Sequence, residues 1–205
     1  MNVFESIYLN NSWGFGSGHG SLPSVTKGYR RFLQDFMKDN NIKSVVDFGC
    51  GDWQFSKYIN WSGVEYIGLE TVPNLVTRNN ELYGNNNVRF MLSPDKYYKI
   101  PKTDLLIVKD VLQHLEEEEI KKFLKELLPK YRFSLIINNT VPIDALNKDI
   151  ERGSFRPLDL RLTPFNTKAT AIYAFGRHRK TFSFKERKFF DPWREIVLLM
   201  SNSSP

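Results

Sequence analysis

A short apolar run, Ser44–Phe48, ends in the glycine turn Asp47-Phe48-Gly49-Cys50-Gly51-Asp52, and no other feature of the chain restricts its fold as much. A strand, a tight glycine turn and then a helix open a parallel β-α-β unit. The alternation continues, with further apolar runs at Glu65–Leu69, Val88–Leu92, Asp104–Val108 and Arg132–Asn138. Helix-compatible sequence fills the gaps through Asn60, over Pro73–Tyr83 with proline in the first turn, and over Glu116–Lys130. The last of these is acidic at its start and basic towards its end, as the helix dipole favours. Strands alternating with helices predict a parallel sheet covered on both faces. Ala169–Phe175 and Glu195–Met200 read as two final strands, an antiparallel pair at one edge. The expected fold class is α/β, with a central, mostly parallel seven-stranded sheet.

Before this core, Ser24–Asp39 places Tyr29, Phe32, Leu33, Phe36 and Met37 on one face, with Ser24 or Thr26 as a cap, and reads as an amphipathic helix. Residues 1–23 are rich in Gly, Ser and Asn, and Gly14, Gly16, Gly18 and Gly20 alternate. Such a stretch forms either a tail or a loop wrapped over a ligand. Residues 139–169 show little periodicity, and a connection of that length is functional or unstructured. Its Phe155, Leu158, Leu160 and Phe165 favour order. The 205 residues fit one domain, with 1–23 over the ligand site and 139–169 as an insertion beside it.

Composition removes several classes. With 16 Phe, 9 Tyr and 4 Trp the chain has ample core material and is not a disordered one. No apolar run approaches the roughly 18–20 residues that span a membrane, and the start of the chain lacks a secretory pattern. Cys50 is the only cysteine, so a disulfide scaffold and a multi-cysteine zinc site are excluded and a cytoplasmic setting is expected. The net charge of +6 fits a basic solvated surface or an acidic partner such as nucleic acid. One dense basic stretch, Arg177, His178, Arg179, Lys180, Lys185, Arg187 and Lys188, reads as the exposed end of a hairpin, and His178 receives no catalytic role.

The glycine turn lies where doubly wound sheets bind ligands, beyond a strand's carboxyl end. Gly49 and Gly51 allow a ligand close to the backbone. Glu70 closes the second strand 23 residues after Asp47, a spacing that suits a carboxylate accepting from two ribose hydroxyls. A dinucleotide fingerprint expects a third glycine where Gln54 stands, and Asp52, expected in the first helical turn, would repel a pyrophosphate. S-adenosylmethionine (SAM) has no phosphate, and its sulfonium and ammonium suit Asp47 and Asp52. SAM is therefore favoured over NAD. No Gly-x-x-x-x-Gly-Lys-Ser/Thr loop is present for a nucleoside triphosphate.

Val45-Val46-Asp47-Phe48-Gly49-Cys50-Gly51-Asp52 resembles the first motif of class I SAM-dependent methyltransferases. Glu70 matches their acidic ribose residue, and Asp104 to Leu115 is similar to their fourth motif. The resemblance covers about residues 40–140 and implies a Rossmann-like fold, SAM as cofactor and S-adenosylhomocysteine (SAH) as product. A narrower resemblance links Trp13, Gly16 to Ser21, Asn147 to Ile150, Gly153, Phe155 to Leu160 and Pro164-Phe165 to methyltransferases of polysaccharide and glycan synthesis. These include methyltransferases of large viruses that glycosylate their own capsids, for which the setting is the host cytoplasm. It implies a sugar hydroxyl as acceptor, a deoxyhexose such as rhamnose among the candidates. It also implies glycosyltransferase domains as partners, in the same chain or pathway. His19 departs from the proline common there.

The cofactor set expected on these grounds is Asp47, Gly49, Gly51, Asp52, Trp53, Glu70, Asp95, Lys109, Trp13 and Ser17. Trp13 and Trp53 can stack on adenine or a sugar ring, or be core. A sugar hydroxyl needs a base to take its proton. His114 is the candidate, with Asp110 four residues earlier on the same helical face to orient it. Asp149 is the alternative base, and His19, Arg156 and Asn147 are expected at the acceptor; a loop ion pair accounts equally for Asp149 and Arg156. Asp110, His114 and Asp149 could ligate a divalent metal if the insertion folded over them, but spacing does not establish one and none is expected. The rival functions are a nucleic-acid methyltransferase, a protein or small-molecule methyltransferase, an NAD enzyme, and a silent scaffold. Nucleic acid is disfavoured because no Asn/Asp-Pro-Pro-aromatic motif occurs.

Overall fold

The computed structural model describes residues 2–141, 143–177, 181–183, 188–190 and 193–201. Its strands in chain order are β1 (Ser44–Phe48), β2 (Glu65–Glu70), β3 (Val88–Leu92), β4 (Leu105–Lys109), β5 (Phe133–Asn139), β6 (Thr170–Arg177), β7 (Thr181–Ser183), β8 (Lys188–Phe190) and β9 (Trp193–Ser201). The helices are α1 (Val3–Leu9), α2 (Lys27–Asp39), α3 (Pro73–Tyr83) and α4 (Glu117–Glu126). Seven strands form one sheet in the order β3-β2-β1-β4-β5-β9-β6. The first five are mutually parallel, and β9 runs antiparallel to both β5 and β6. The two final strands thus pair at one edge as expected, β6 outermost. The order reverses at β1/β4, where doubly wound sheets open a crevice.

Both faces of the sheet are covered, and side-chain alternation along each strand assigns the cores. Val45, Leu105, Leu135 and Val197 face a layer with Tyr29, Leu33 and Met37 of α2, against which Val76 and Tyr83 of α3 also pack. Val46, Leu106, Ile136 and Leu198 face the other layer with Ile120 and Phe123 of α4. Each fully buried aliphatic side chain contributes about 1.5–3 kcal/mol, and a one-residue register slip would exchange the two faces.

Three local expectations change. The stretch after β1 forms no α-helix, only a single 3-10 turn at Ser56–Tyr58, because Trp53 takes a left-handed φ of 57° and turns into the core. Asp52 is therefore not in a helical first turn. Residues 1–23 are not a plain tail: Asn2 and Glu5 form a reciprocal capping box that starts α1. Thr26 precedes α2 without capping it, because its hydroxyl donates to the Leu22 carbonyl at 2.9 Å. In contrast, α4 has its acidic first turn, and Glu116 caps it with Glu119. Of the basic stretch, His178, Arg179, Lys180, Lys185 and Arg187 lie outside the described residues, while β7 and β8 beside it pair antiparallel. No helix among the described residues is long and apolar enough to cross a membrane.

Candidate active site

A cavity of about 600 Å³ lies along the carboxyl ends of β1, β2, β4 and β5. Its β1–β2 end is the glycine turn. Gly49 and Gly51 have φ of 79° and 57°, a region that side chains rarely adopt. A Cβ on Gly49 would stand 2.4 Å from Val111 Cγ2, and one on Gly51 would stand 2.4 Å from Ser17 Oγ. Both positions therefore require glycine. The Gly51 amide donates to Glu70 Oε2 at 3.0 Å, and the Thr71 and Val72 amides donate to Oε1 at 2.6 and 3.1 Å. These bonds, with a longer one from the Thr71 hydroxyl to Oε1 at 3.3 Å, fix the Glu70 carboxylate at the cavity wall; Oε1 is fully engaged, while Oε2 accepts from Gly51 alone among the described residues and keeps room for a ligand hydroxyl. Burial pushes its pKa up despite them.

Asp47 is buried beside the turn, and its Oδ2 accepts from the Tyr66 hydroxyl at 2.6 Å. Burial raises its pKa to about 6, against the lowering effect of that bond; neighbouring Glu70 also raises it and Lys109 lowers it. Asp52 holds the N-terminal segment. Its Oδ1 accepts from Ser17 Oγ at 2.7 Å and its Oδ2 from the Ser17 amide at 3.2 Å, while its own amide donates to Ser17 Oγ at 3.0 Å. Tyr8 joins at 2.7 Å from Ser17 Oγ, and Gln54 donates to the Phe15 carbonyl at 2.9 Å. The glycine-rich segment is thereby fastened across the turn. Trp13, His19 and Ser17 all line the cavity, with His19 exposed. Trp53 lines it too, but is mostly core, packed against Tyr66, Tyr83 and Phe90.

The other end of the cavity is built around Lys109. Its ammonium pairs with Asp110, lies 2.9 Å from Glu195 Oε2 and donates to the Gly20 carbonyl at 3.2 Å. Burial alone would lower the Lys109 pKa, but the two carboxylates outweigh it and hold the group charged. Burial, with Asp110 nearby, pushes the Glu195 carboxyl up. Asp110 has a left-handed φ of 57°, so no helix begins there and it does not orient His114. His114 ends a 3-10 turn, and its Nδ1 lies 2.8 Å from the Ser154 carbonyl oxygen. A carbonyl only accepts, so Nδ1 carries the proton and Nε2 the lone pair. The ring packs tilted against Trp13 at 4.7 Å and meets Phe155 at 5.9 Å. Burial lowers its pKa, keeping it neutral near pH 7.

Four expected site residues stand outside the cavity wall. Asp95 is exposed on the loop after β3. Asp149 is largely exposed and accepts from the Glu117 and Ile150 amides at 2.8 and 2.9 Å and from Arg156 at 3.1 Å. Arg156 is buried and donates to the Leu115 carbonyl at 2.7 Å, so it ties the insertion to the start of α4. Asn147 bridges the insertion internally through Asp159 and Thr163. A metal set of Asp110, His114 and Asp149 does not come together, and no three His, Cys, Asp or Glu among the described residues are placed to hold an ion. Sequence reasoning missed Tyr8, Tyr97, Gln113, Asn139, Arg152 and Glu195 in the wall. Only Glu195 carried a signal, a carboxylate at the start of an otherwise apolar strand.

This geometry agrees with the comparisons to known proteins. Residues 46–129 match a family model described as a methyltransferase domain. No curated protein matches the chain. Among solved structures, TehB from Haemophilus influenzae is similar at a TM-score of 0.60 and 13% identity, over 97% of this chain and 67% of that one. Magnesium protoporphyrin IX methyltransferase (ChlM) from Synechocystis PCC 6803, solved with bound SAH, has a TM-score of 0.60 and 15% identity, over 96% and 93%. The N-terminal domain of EvdMO1, solved in the presence of SAH and D-fucose, has a TM-score of 0.55 and 13% identity, over 84% and 82%. The glycine turn, the acidic residue closing β2, the sheet order and the domain match coincide: the chain carries a SAM-dependent methyltransferase domain.

Proposed function

We propose that the protein methylates a hydroxyl group of a sugar in a glycan, with His114 as the base. The carrying observation is the His114 environment: Nδ1 is fixed on the Ser154 carbonyl, Nε2 is unprotonated, and the ring sits between Trp13 and Phe155 in the cavity wall. The cavity also fits the cofactor. Its volume falls in the range of small-molecule sites. Its β1–β2 end offers Glu70 to ribose hydroxyls and Asp47 to a cationic group, and among the described residues the one lysine of the wall, Lys109, is committed to Asp110 and Glu195. When bound, SAM supplies an activated methyl group on a sulfonium.

The chain's own residues do the rest. Trp13, Phe15 and Phe155 present aromatic surface suited to a sugar ring. His114 Nε2 accepts the hydroxyl proton, and the Ser154 carbonyl stabilises the ring's protonated form. The segment over the turn, fastened through Ser17 and Asp52, limits water at the reacting atoms. The solved relative studied with D-fucose supports a sugar acceptor on this fold. Partner glycosyltransferases fit this reading as the source of the acceptor. The experiment is transfer of labelled methyl from SAM to a panel of sugar glycosides, with RNA and bulk protein in parallel. Label on a glycoside is the expected result; label only on RNA or protein overturns the sugar reading.

A further inference from the structure

The reading above leaves the carboxylates at the β4–β9 end of the cavity without a role. Glu195 stands near the start of the antiparallel strand β9, which brings it to the same sheet edge as the ends of β4 and β5. Its register partner is Asn139, and both line the cavity. Asp110 lines it from the other side of Lys109. The two carboxylates converge beneath Gly20: a Cβ there would lie 2.9 Å from Asp110 Oδ2 and 3.2 Å from Glu195 Oε1. Between them the Lys109 ammonium is committed. Its three N–H donors face Asp110, Glu195 and the Gly20 carbonyl, and the rings of Tyr29, Phe55 and Phe175 surround it at 6.0, 5.7 and 6.0 Å. Arg152, at the cavity wall, is ion-paired with Glu119.

We propose that Glu195 is a specificity-determining residue: with Asp110 it walls the β4–β9 end of the cavity with carboxylates, so that this end takes an uncharged polyhydroxyl acceptor. An acceptor with a carboxylate or phosphate beside its reacting hydroxyl is turned away. The inference rests on the sugar reading above and names its substrate class. Hydroxyl groups donate to carboxylate oxygens, whereas an anion has nothing to donate and meets like charge in a poorly screened cavity. With both carboxylates ionised, Lys109, Asp110 and Glu195 together carry one net negative charge, and a proton taken up by Glu195 cancels it and relaxes the exclusion. A nucleoside-diphosphate sugar carries its phosphates on the ring itself. The substrate is therefore a glycoside already formed, and glycosyl transfer is the class of reaction that supplies it.

The test compares kcat/KM for a neutral pyranoside, the matching uronate and the matching nucleoside-diphosphate sugar, alongside SAM affinity. The wild type should favour the neutral glycoside over either anion by about 100-fold. Glu195→Ala, which frees one Lys109 N–H, should narrow that ratio about tenfold while SAM affinity stays within about threefold. Glu195→Gln keeps that N–H occupied but removes the charge, and should narrow the ratio about threefold. If Glu195 only supports the fold, neutral and anionic acceptors decline together and the ratio is unchanged, which overturns the proposal. Should the alanine variant fail to fold, the glutamine variant decides by the same ratio. A wild type that methylates glycosides without regard to charge overturns this inference alone; one that methylates no glycoside overturns the sugar reading and the inference with it.

Discussion

The frame of the β1–β2 end of the cavity comes from one stretch of chain, Asp47 to Thr71, with the N-terminal segment fastened over it through Ser17, whereas the β4–β9 end is gathered wholly from segments far apart: Gly18 to Ser21, Lys109 to Leu115, Asn139, Arg152 to Phe155, and Glu195. The first end is preformed by local geometry, two left-handed glycines and a carboxylate fixed by neighbouring amides. The second depends on long-range contacts, such as His114 to Ser154 and Lys109 to Gly20 and Glu195. Binding of a common cofactor suits a local, fixed frame. Selection of an acceptor suits an end assembled from loops that can vary independently.

That division can be broken by substitution. The largest effect is expected at the assembled end: His114→Ala should lower turnover about 10²–10⁴-fold, as for a lost general base. Because burial depresses the His114 pKa, the wild-type acid limb should lie below the ordinary histidine range, and a pH–rate profile checks this. At the local end, Glu70→Ala should weaken SAM binding by about 1–3 kcal/mol, read by calorimetry. Unchanged affinity would mean that Glu70 does not meet the ribose.

Asp47 sharpens the comparison through pH. Its carboxyl is pushed up to about 6, and a cationic ligand favours the ionised form. SAM affinity should therefore be full above that value and fall about tenfold between pH 7 and pH 5. The free protein moves oppositely. A raised carboxylate pKa adds stability that is complete below the unfolded value of 3.8 and is lost as pH rises through about 6. Asp47→Asn should flatten the affinity trend and remove Asp47's share of the stability trend, leaving that of the raised carboxyls of Glu70 and Glu195, as titrations and melts across this range would reveal. The smallest effect on chemistry is expected at Asp149. Asp149→Ala should change turnover less than about threefold, the scale of an exposed loop substitution, whereas a loss like that of His114 would return the base to Asp149.

The same division explains what was legible in the sequence. Val46, Leu106 and Ile136 sit in apolar runs whose period identifies them as strands, and β1, α3 and β3 fall at their expected bounds. Gly49, Gly51 and Glu70 lie within a few residues of strand ends, so spacing alone brought them together. The missing helix after β1 was not legible, because Trp53 and Asp52 satisfy a tertiary core and a distant Ser17 rather than a helix. Asp149 and Arg156 have the composition of acceptor ligands, yet their bonds go to backbone groups at the start of α4. No local pattern distinguishes those two uses. Helical spacing points from His114 to Asp110, but the partner is a backbone carbonyl 40 residues away.

The most direct test places both ends in one experiment. SAM affinity by calorimetry and single-turnover methyl transfer at saturating SAM are measured on wild type, Glu70→Ala and His114→Ala, using a glycoside that the wild type methylates. The account predicts a crossed pattern: Glu70→Ala loses affinity with near-normal transfer once saturated, and His114→Ala keeps affinity but loses transfer. Loss of both quantities in both folded variants, or normal transfer in His114→Ala, would contradict a cavity divided into a cofactor end and a catalytic acceptor end.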